Sequence, residues 1–179
     1  MHEQLQAVAD EFESAGARLH TLAREIPEHA WHRRADPARW SMAECVGHLN
    51  LTSSAYLPVL QAALAEGSRL GRRAPARYRR DPMGWFLWLM AGPPVRHQVK
   101  TKAAFVPGAN VPLPQLLAEF DQLQRDQITC VHRADGLDLG RLWIRSPFDQ
   151  RIRYNLYSCL TILPRHQHRH LWQAEQVGR

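Results

Sequence analysis

Cysteine is scarce: Cys45, Cys130 and Cys159 are the only ones, an odd number with no CxxC pair. A disulfide framework is therefore not expected, and a reducing cytoplasmic setting fits this usage best. Long apolar runs are also missing. The most apolar stretch, Met83 to Val95, is interrupted by Gly92-Pro93-Pro94 and falls far short of the ~20 residues needed to span a bilayer. No membrane partner is expected. Met1 to Asp10 is polar and leads straight into an amphipathic pattern, so no secretory leader is expected. No phosphate-binding glycine loop and no Ser-His-Asp arrangement stands out. Acidic charge is the minority sign, with a formal net charge of +6, and Arg69, Arg72, Arg73, Arg77, Arg79 and Arg80 are crowded together. Neither a recognition helix nor an aromatic RNA-binding motif accompanies them, so they read as a solvated loop and nucleic acid is not an expected partner.

What remains is an ordinary globular composition. The chain has 179 residues, 45% apolar and 22% charged. That is enough for one domain with a proper core, here residues 1–179, and argues against disorder.

Helical periodicity organises the chain. Leu5, Val8, Phe12, Ala15, Leu19, Leu22 and Ile26 alternate spacings of three and four, which predicts a long first helix ended by Pro27. Trp31 to Arg39 reads as a linker. Ser41-Met42-Ala43-Glu44 is a capping-box pattern opening a second helix to about Ala65, with Gly67 as its stop. Gly71 to Gly108 is a long insertion, in which Trp85 to Met90 predicts a short helix, read as a cover packed on the bundle in preference to an association surface. Lys100 to Pro114 reads as extended. Pro114 fits the first position of a third helix carrying Leu116, Phe120, Leu123, Ile128 and Val131, up to about Ala134. Asp135 to Gln150 is a second connection, with turns at Gly136 and Gly140 and an apolar plug at Leu142-Trp143-Ile144. Asn155 to Val177 is the fourth helix. These elements predict an all-α fold: a four-helix bundle with long connections between helices two and three and between three and four.

The fourth helix carries the chemistry. In His166-Gln-His-Arg-His-Leu-Trp-Gln173, residues His166, His170 and Gln173 stack on one face, shared with Leu156, Leu163 and Val177. Two imidazoles one turn apart on an inward face can hold one metal ion. His168 points away, and Pro164 predicts a bend just before His166. On the second helix the inward stripe is Cys45, His48, Thr52, Ala55 and Val59. A lone histidine there is ordinarily a satisfied core residue, but two further inward histidines turn the reading toward a ligand.

Gly47-His48-Leu49, the His166–His170 pair followed by Gln173, and Trp40-Ser41 before the second helix together resemble the DinB-like (DinB/YfiT-like) bundle proteins. Lys100-Thr101-Lys102-Ala103-Ala104-Phe105-Val106-Pro107 is similar to a connection in one branch of that family. The resemblance implies a four-helix bundle holding a divalent metal, usually zinc or nickel, with His48, His166 and His170 as ligands. It also implies a homodimer and a small-molecule substrate, with a low-molecular-weight thiol among the candidates. Some relatives transfer thiols, and others are described as hydrolases. The Arg- and Trp-rich insertion departs from the family pattern.

Three neutral imidazoles would leave the ion an open position, as in catalytic sites, whereas structural zinc usually has four protein ligands. Such an ion would lower the pKa of water or of a thiol, so the ligands alone do not choose between hydrolysis and thiol transfer. Glu44, one turn before His48, has a capping role that competes with any bond to that ring. Gln173 is either a partner of the bound water or substrate or a solvent-facing helix end, and Cys45 either a fourth ligand or an inert buried thiol. Three functions follow: a metal-dependent thiol transferase or hydrolase, a non-catalytic metal- or ligand-binding bundle, and a structural dimer with a vestigial site.

Overall fold

A computed structural model describes residues 1–94 and 101–178. Val95, the end of the apolar run, and Lys100, the start of the extended stretch, lie outside the described residues. The helices are α1 (Glu3–Glu25), α2 (Glu28–Trp31), α3 (Met42–Leu70), α4 (Pro82–Ala91), α5 (Leu113–Arg133) and α6 (Leu156–Gly178). Strands β1 (Trp143–Arg145) and β2 (Arg153–Asn155) form an antiparallel hairpin with Ile144 opposite Tyr154. The fold is mostly helical, with α3 packed on α5 and α6, α1 on the same two helices, and α4 on α6.

Helix α1 buries Leu5, Val8, Phe12, Ala15, Leu19 and Leu22, the seam its periodicity predicts. The linker after it is less passive than expected. Trp31 is fully buried at the end of α2, its indole N–H donating to the Ile26 carbonyl at 3.2 Å.

The capping box of α3 forms as predicted: Ser41 Oγ accepts from Glu44 N at 3.2 Å, and Glu44 Oε2 accepts from Ser41 N at 2.8 Å. The helix does not stop at Gly67. It runs to Leu70 and ends at Gly71, whose φ of +61° is the left-handed cap that glycine favours. Gly67 serves close packing instead, since a Cβ there would lie 2.6 Å from Leu142 Cδ1.

Helix α5 starts at Leu113, so Pro114 sits one position later than predicted, still among the amides that lack an acceptor. Its middle differs more. The buried stripe runs Leu116, Phe120, Gln124, Gln127, Cys130, Val131, while Leu123 and Ile128 are only partly buried. Gln124 finds partners for both of its polar atoms and Gln127 for its oxygen, while Gln127 Nε2 stays buried without one. Gln167 Nε2 donates to Gln124 Oε1 at 2.8 Å and to Gln127 Oε1 at 3.1 Å, Ser53 Oγ donates to Gln127 Oε1 at 3.3 Å, and Gln124 Nε2 donates to the Phe12 carbonyl. Along each long helix these groups lie between two apolar clusters. One cluster holds Phe12, Tyr56, Leu60 and Leu163, and the other Ala15, Leu49, Phe120 and Leu171.

The hairpin replaces the predicted plug. Leu142 and Ile144 are buried, but strand alternation turns Trp143 outward, leaving it half exposed with the Arg153 guanidinium 5.9 Å from its ring. Tyr154 faces inward and shares a 2.6 Å hydroxyl contact with Tyr56. Helix α6 runs unbroken through Pro164 and buries Leu156, Cys159, Leu160, Leu163 and Ala174.

Candidate metal centre

His48 follows the capped first turn of α3 and is only 3% exposed. Its Nδ1 lies 2.8 Å from the carbonyl oxygen of Phe105, in the short 3-10 turn Ala103–Phe105. A carbonyl only accepts, so Nδ1 carries the hydrogen and the Nε2 of the neutral ring holds the lone pair. Gly47 permits the approach: a Cβ there would sit 3.0 Å from Pro107 Cβ.

His166 and His170 meet this ring from α6. Ring centroids are 4.5 Å apart for His48–His170, 5.3 Å for His48–His166 and 4.5 Å for His166–His170. One ligand nitrogen from each histidine lies within 4.8 Å of the others. The Nε2 atoms of His166 and His170 are 3.1 Å apart, close to the ~3.3 Å edge of a tetrahedron with metal–nitrogen bonds of ~2.0 Å. His170 is buried and His166 is of intermediate burial. An aromatic wall surrounds it. Trp40 lies 4.9 Å from His48 and 6.0 Å from His170, and Phe148 lies 6.4 Å from both His48 and His166.

Burial keeps all three rings neutral. It lowers the pKa of His48 despite the opposing Phe105 bond. Together with the charges of His48 and Arg169 it pushes His166 down to about 3, and it holds His170 well below its ordinary value, aided by His166, His48 and Arg169. Neutral rings are what a cation requires of its ligands.

The other polar candidates separate. The Glu44 carboxylate is taken by its cap and by Arg34, which draw its pKa below the usual carboxylate range against the cost of burial. Burial pushes the Cys45 thiol up to about 12, and it packs in the apolar cluster of Ala15 and Leu49. Cys45 does not join the three histidines. His168 points away, as predicted, and pairs with Glu11 at 3.0 Å. Gln173 Oε1 and His170 Nδ1 are both buried without a hydrogen-bond partner, and Gln173 favours the protonated form of that ring. Gln173 thus stands beside His170.

Three contributors escaped the sequence reading. The Phe105 carbonyl has no side-chain signature. Trp40 was visible only as part of a motif, and Phe148 sits in a hairpin turn that nothing in the sequence tied to the histidines.

No curated protein and no solved structure matches the chain. A family model described as the DinB superfamily matches residues 11–174, a span that includes all three histidines, the whole of α3 and α6 as far as Ala174, and the chain belongs to that superfamily.

Proposed function

We propose that His48, His166 and His170 hold a divalent metal ion, zinc or nickel, and that the protein is an enzyme activating a thiol or water toward a small electrophilic substrate. One observation carries this reading: three ligand nitrogens from two helices converge within 4.8 Å while every ring is kept neutral. The fit extends outward. The Phe105 carbonyl fixes the His48 tautomer, and the unpartnered His170 Nδ1 leaves a hydrogen to donate once its Nε2 is engaged. A bound ion would supply Lewis acidity, lowering the pKa of a thiol or water placed at its open position.

The surrounding residues favour the thiol. Among the described residues no carboxylate joins the histidine cluster, so the cluster itself supplies no general base for water. A thiol, with a pKa of ~8.5, needs far less help than water at ~15.7. Trp40 and Phe148 present apolar surface that would shield the thiolate and seat an apolar substrate. In the transfer a carbon–sulfur bond would form as the leaving group departs with its electron pair, and the thiol proton passes to solvent. The cyclic contacts of α1, α5, α3 and α6 support a four-helix bundle around this site, and we place the protein in the cytoplasm as a homodimer.

The burial of His48 and His170 suits a second reading, a bundle that holds metal without turnover. Elemental mass spectrometry on untagged wild type and His166→Ala tests the shared premise. One zinc or nickel per chain, lost in the variant, is expected; absence of metal even after adding either ion would end both readings. Metal-loaded protein inert toward thiol-transfer and hydrolysis substrates would leave the second.

A further inference from the structure

Helix α4 is apolar all round, and among the described residues only half of it has a partner. Gly84, Leu87, Trp88 and Ala91 form the face toward α6, while Met83, Trp85, Phe86, Leu89 and Met90 point outward, with Trp85 54% and Phe86 53% exposed. The helix is firmly seated. Asp81 accepts from Gly84 N, Asn155 N and Ser158 Oγ, Arg165 Nε donates to the Trp88 carbonyl at 2.8 Å, and the Trp88 ring lies between the guanidiniums of Arg80 and Arg165 at 4.4 and 3.9 Å. Folding therefore leaves a contiguous apolar patch on a rigid element, and such patches mark interaction sites.

Charge says what covers it. From Gly67 to Pro94 the chain has six arginines and one acid, Asp81, whose carboxylate is committed to the cap and to α6. Arg77 and Arg79 are exposed and have no acidic partner among the described residues. Beside them a groove of about 310 Å³, lined by Arg77, Arg79, Arg80, Trp85 and Tyr157, opens next to the outer face. A second copy fits this patch poorly. Five roughly half-exposed side chains offer an area on the order of 400–500 Å², below the ~800 Å² per partner of a stable interface. Arginines at the rim of a two-fold contact would also tend to face each other.

We propose that the outer face of α4, with Arg77 and Arg79, docks the protein on an anionic bilayer surface. Trp85, Phe86, Leu89 and Met90 enter the headgroup–acyl boundary, and the basic groove receives lipid phosphates. No spanning segment is needed for this, and the proposal departs from the expectation of no membrane partner, whose ground, the shortness of apolar runs, bears on crossing a bilayer and not on docking at its surface.

Flotation of the full chain with phosphatidylcholine vesicles, with and without phosphatidylserine, tests the proposal. Binding to the anionic vesicles should exceed binding to the neutral ones by ~10-fold or more, and should weaken as salt is raised. Phe86→Asp with Leu89→Asp, and separately Arg77→Glu with Arg79→Glu, should each reduce it by a similar factor without changing thermal unfolding, because all four side chains are exposed. His170→Ala should bind vesicles like wild type, which separates this proposal from the metal reading. Equal affinity for neutral and anionic vesicles, indifference to both double variants, or a dimer dissolved by Phe86→Asp in a protein that ignores vesicles would each overturn it.

Discussion

Gly47→Ala tests whether the Phe105 carbonyl orients the metal centre. The new methyl would lie 3.0 Å from Pro107 Cβ and 3.7 Å from Leu116 Cδ2, the first well inside the ~3.5–4.0 Å of ordinary carbon contacts. Either α3 or the segment carrying Phe105 and Pro107 must give by a few tenths of an ångström. Two effects oppose. Alanine in a helix interior is worth ~0.8–1.0 kcal/mol over glycine, while crowding a packed site costs ~1–3 kcal/mol. The net loss is ~0–2 kcal/mol, a few degrees in Tm for a chain of this size, so the fold survives. The 2.8 Å bond from His48 Nδ1 to the Phe105 oxygen bears the displacement, since its acceptor lies two residues from Pro107. Partners that orient a ligand imidazole typically carry ~10–100-fold in metal affinity. The lower end, ~10-fold, is expected for a bond stretched rather than deleted. Zinc titration against a competing chelator measures the affinity, and nitrogen NMR of His48 reports which ring nitrogen holds the hydrogen. Unchanged affinity with an unchanged tautomer would show that the carbonyl does not position this ring.

Other perturbations follow from the same geometry. His170→Ala should abolish metal binding yet unfold cooperatively, because the two apolar clusters are built by other residues and keep all their members in the variant; a non-cooperative melt by circular dichroism would make the site structural. Stability of the metal-free protein should decline as pH falls from 6.5 toward 3. Below 6.5 unfolded imidazoles take up protons that the buried rings, with lowered pKa, refuse, for His166 down to about 3; while a ring refuses its proton the slope approaches ~1.4 kcal/mol per pH unit for that histidine. A flat urea-midpoint profile there would contradict the burial argument. Gly84→Ala places a Cβ 2.0 Å from Ser158 Oγ and 2.2 Å from Ser158 Cβ. With no room to yield, α4 should leave α6 at a cost of at least ~1–3 kcal/mol, seen as fast hydrogen exchange across Pro82–Ala91; retained protection would refute it.

The long helices were legible because periodicity and caps are local. Ser41 and Glu44 report a helix start within four residues, and Leu5 to Leu22 report a buried face without reference to any partner. The histidines were legible for a related reason: His48, His166 and His170 are polar residues at positions where an apolar one is expected. The same logic failed at Gln124 and Gln127, where the apolar neighbours Leu123 and Ile128 completed a competing stripe, and only contacts across helices decide between the two. Gly67 was misread because glycine serves a helix end and a close approach equally, and Leu142 settles the matter from 75 residues away in sequence. Strands of three residues, like Trp143–Arg145, are too short to show alternation against a background of loop.

The amide layer between the two apolar clusters has a consequence for the metal centre. Leucine packing tolerates a helix sliding by a turn, because one apolar knob replaces another. Gln124, Gln127 and Gln167 do not, since a one-turn slip of α6 against α5 would strand several buried amide groups at ~1–3 kcal/mol each. Gln167 directly follows His166 in the chain. The layer therefore works as an index pin: by fixing the height of α6 against α5, it sets His166 and His170 level with His48.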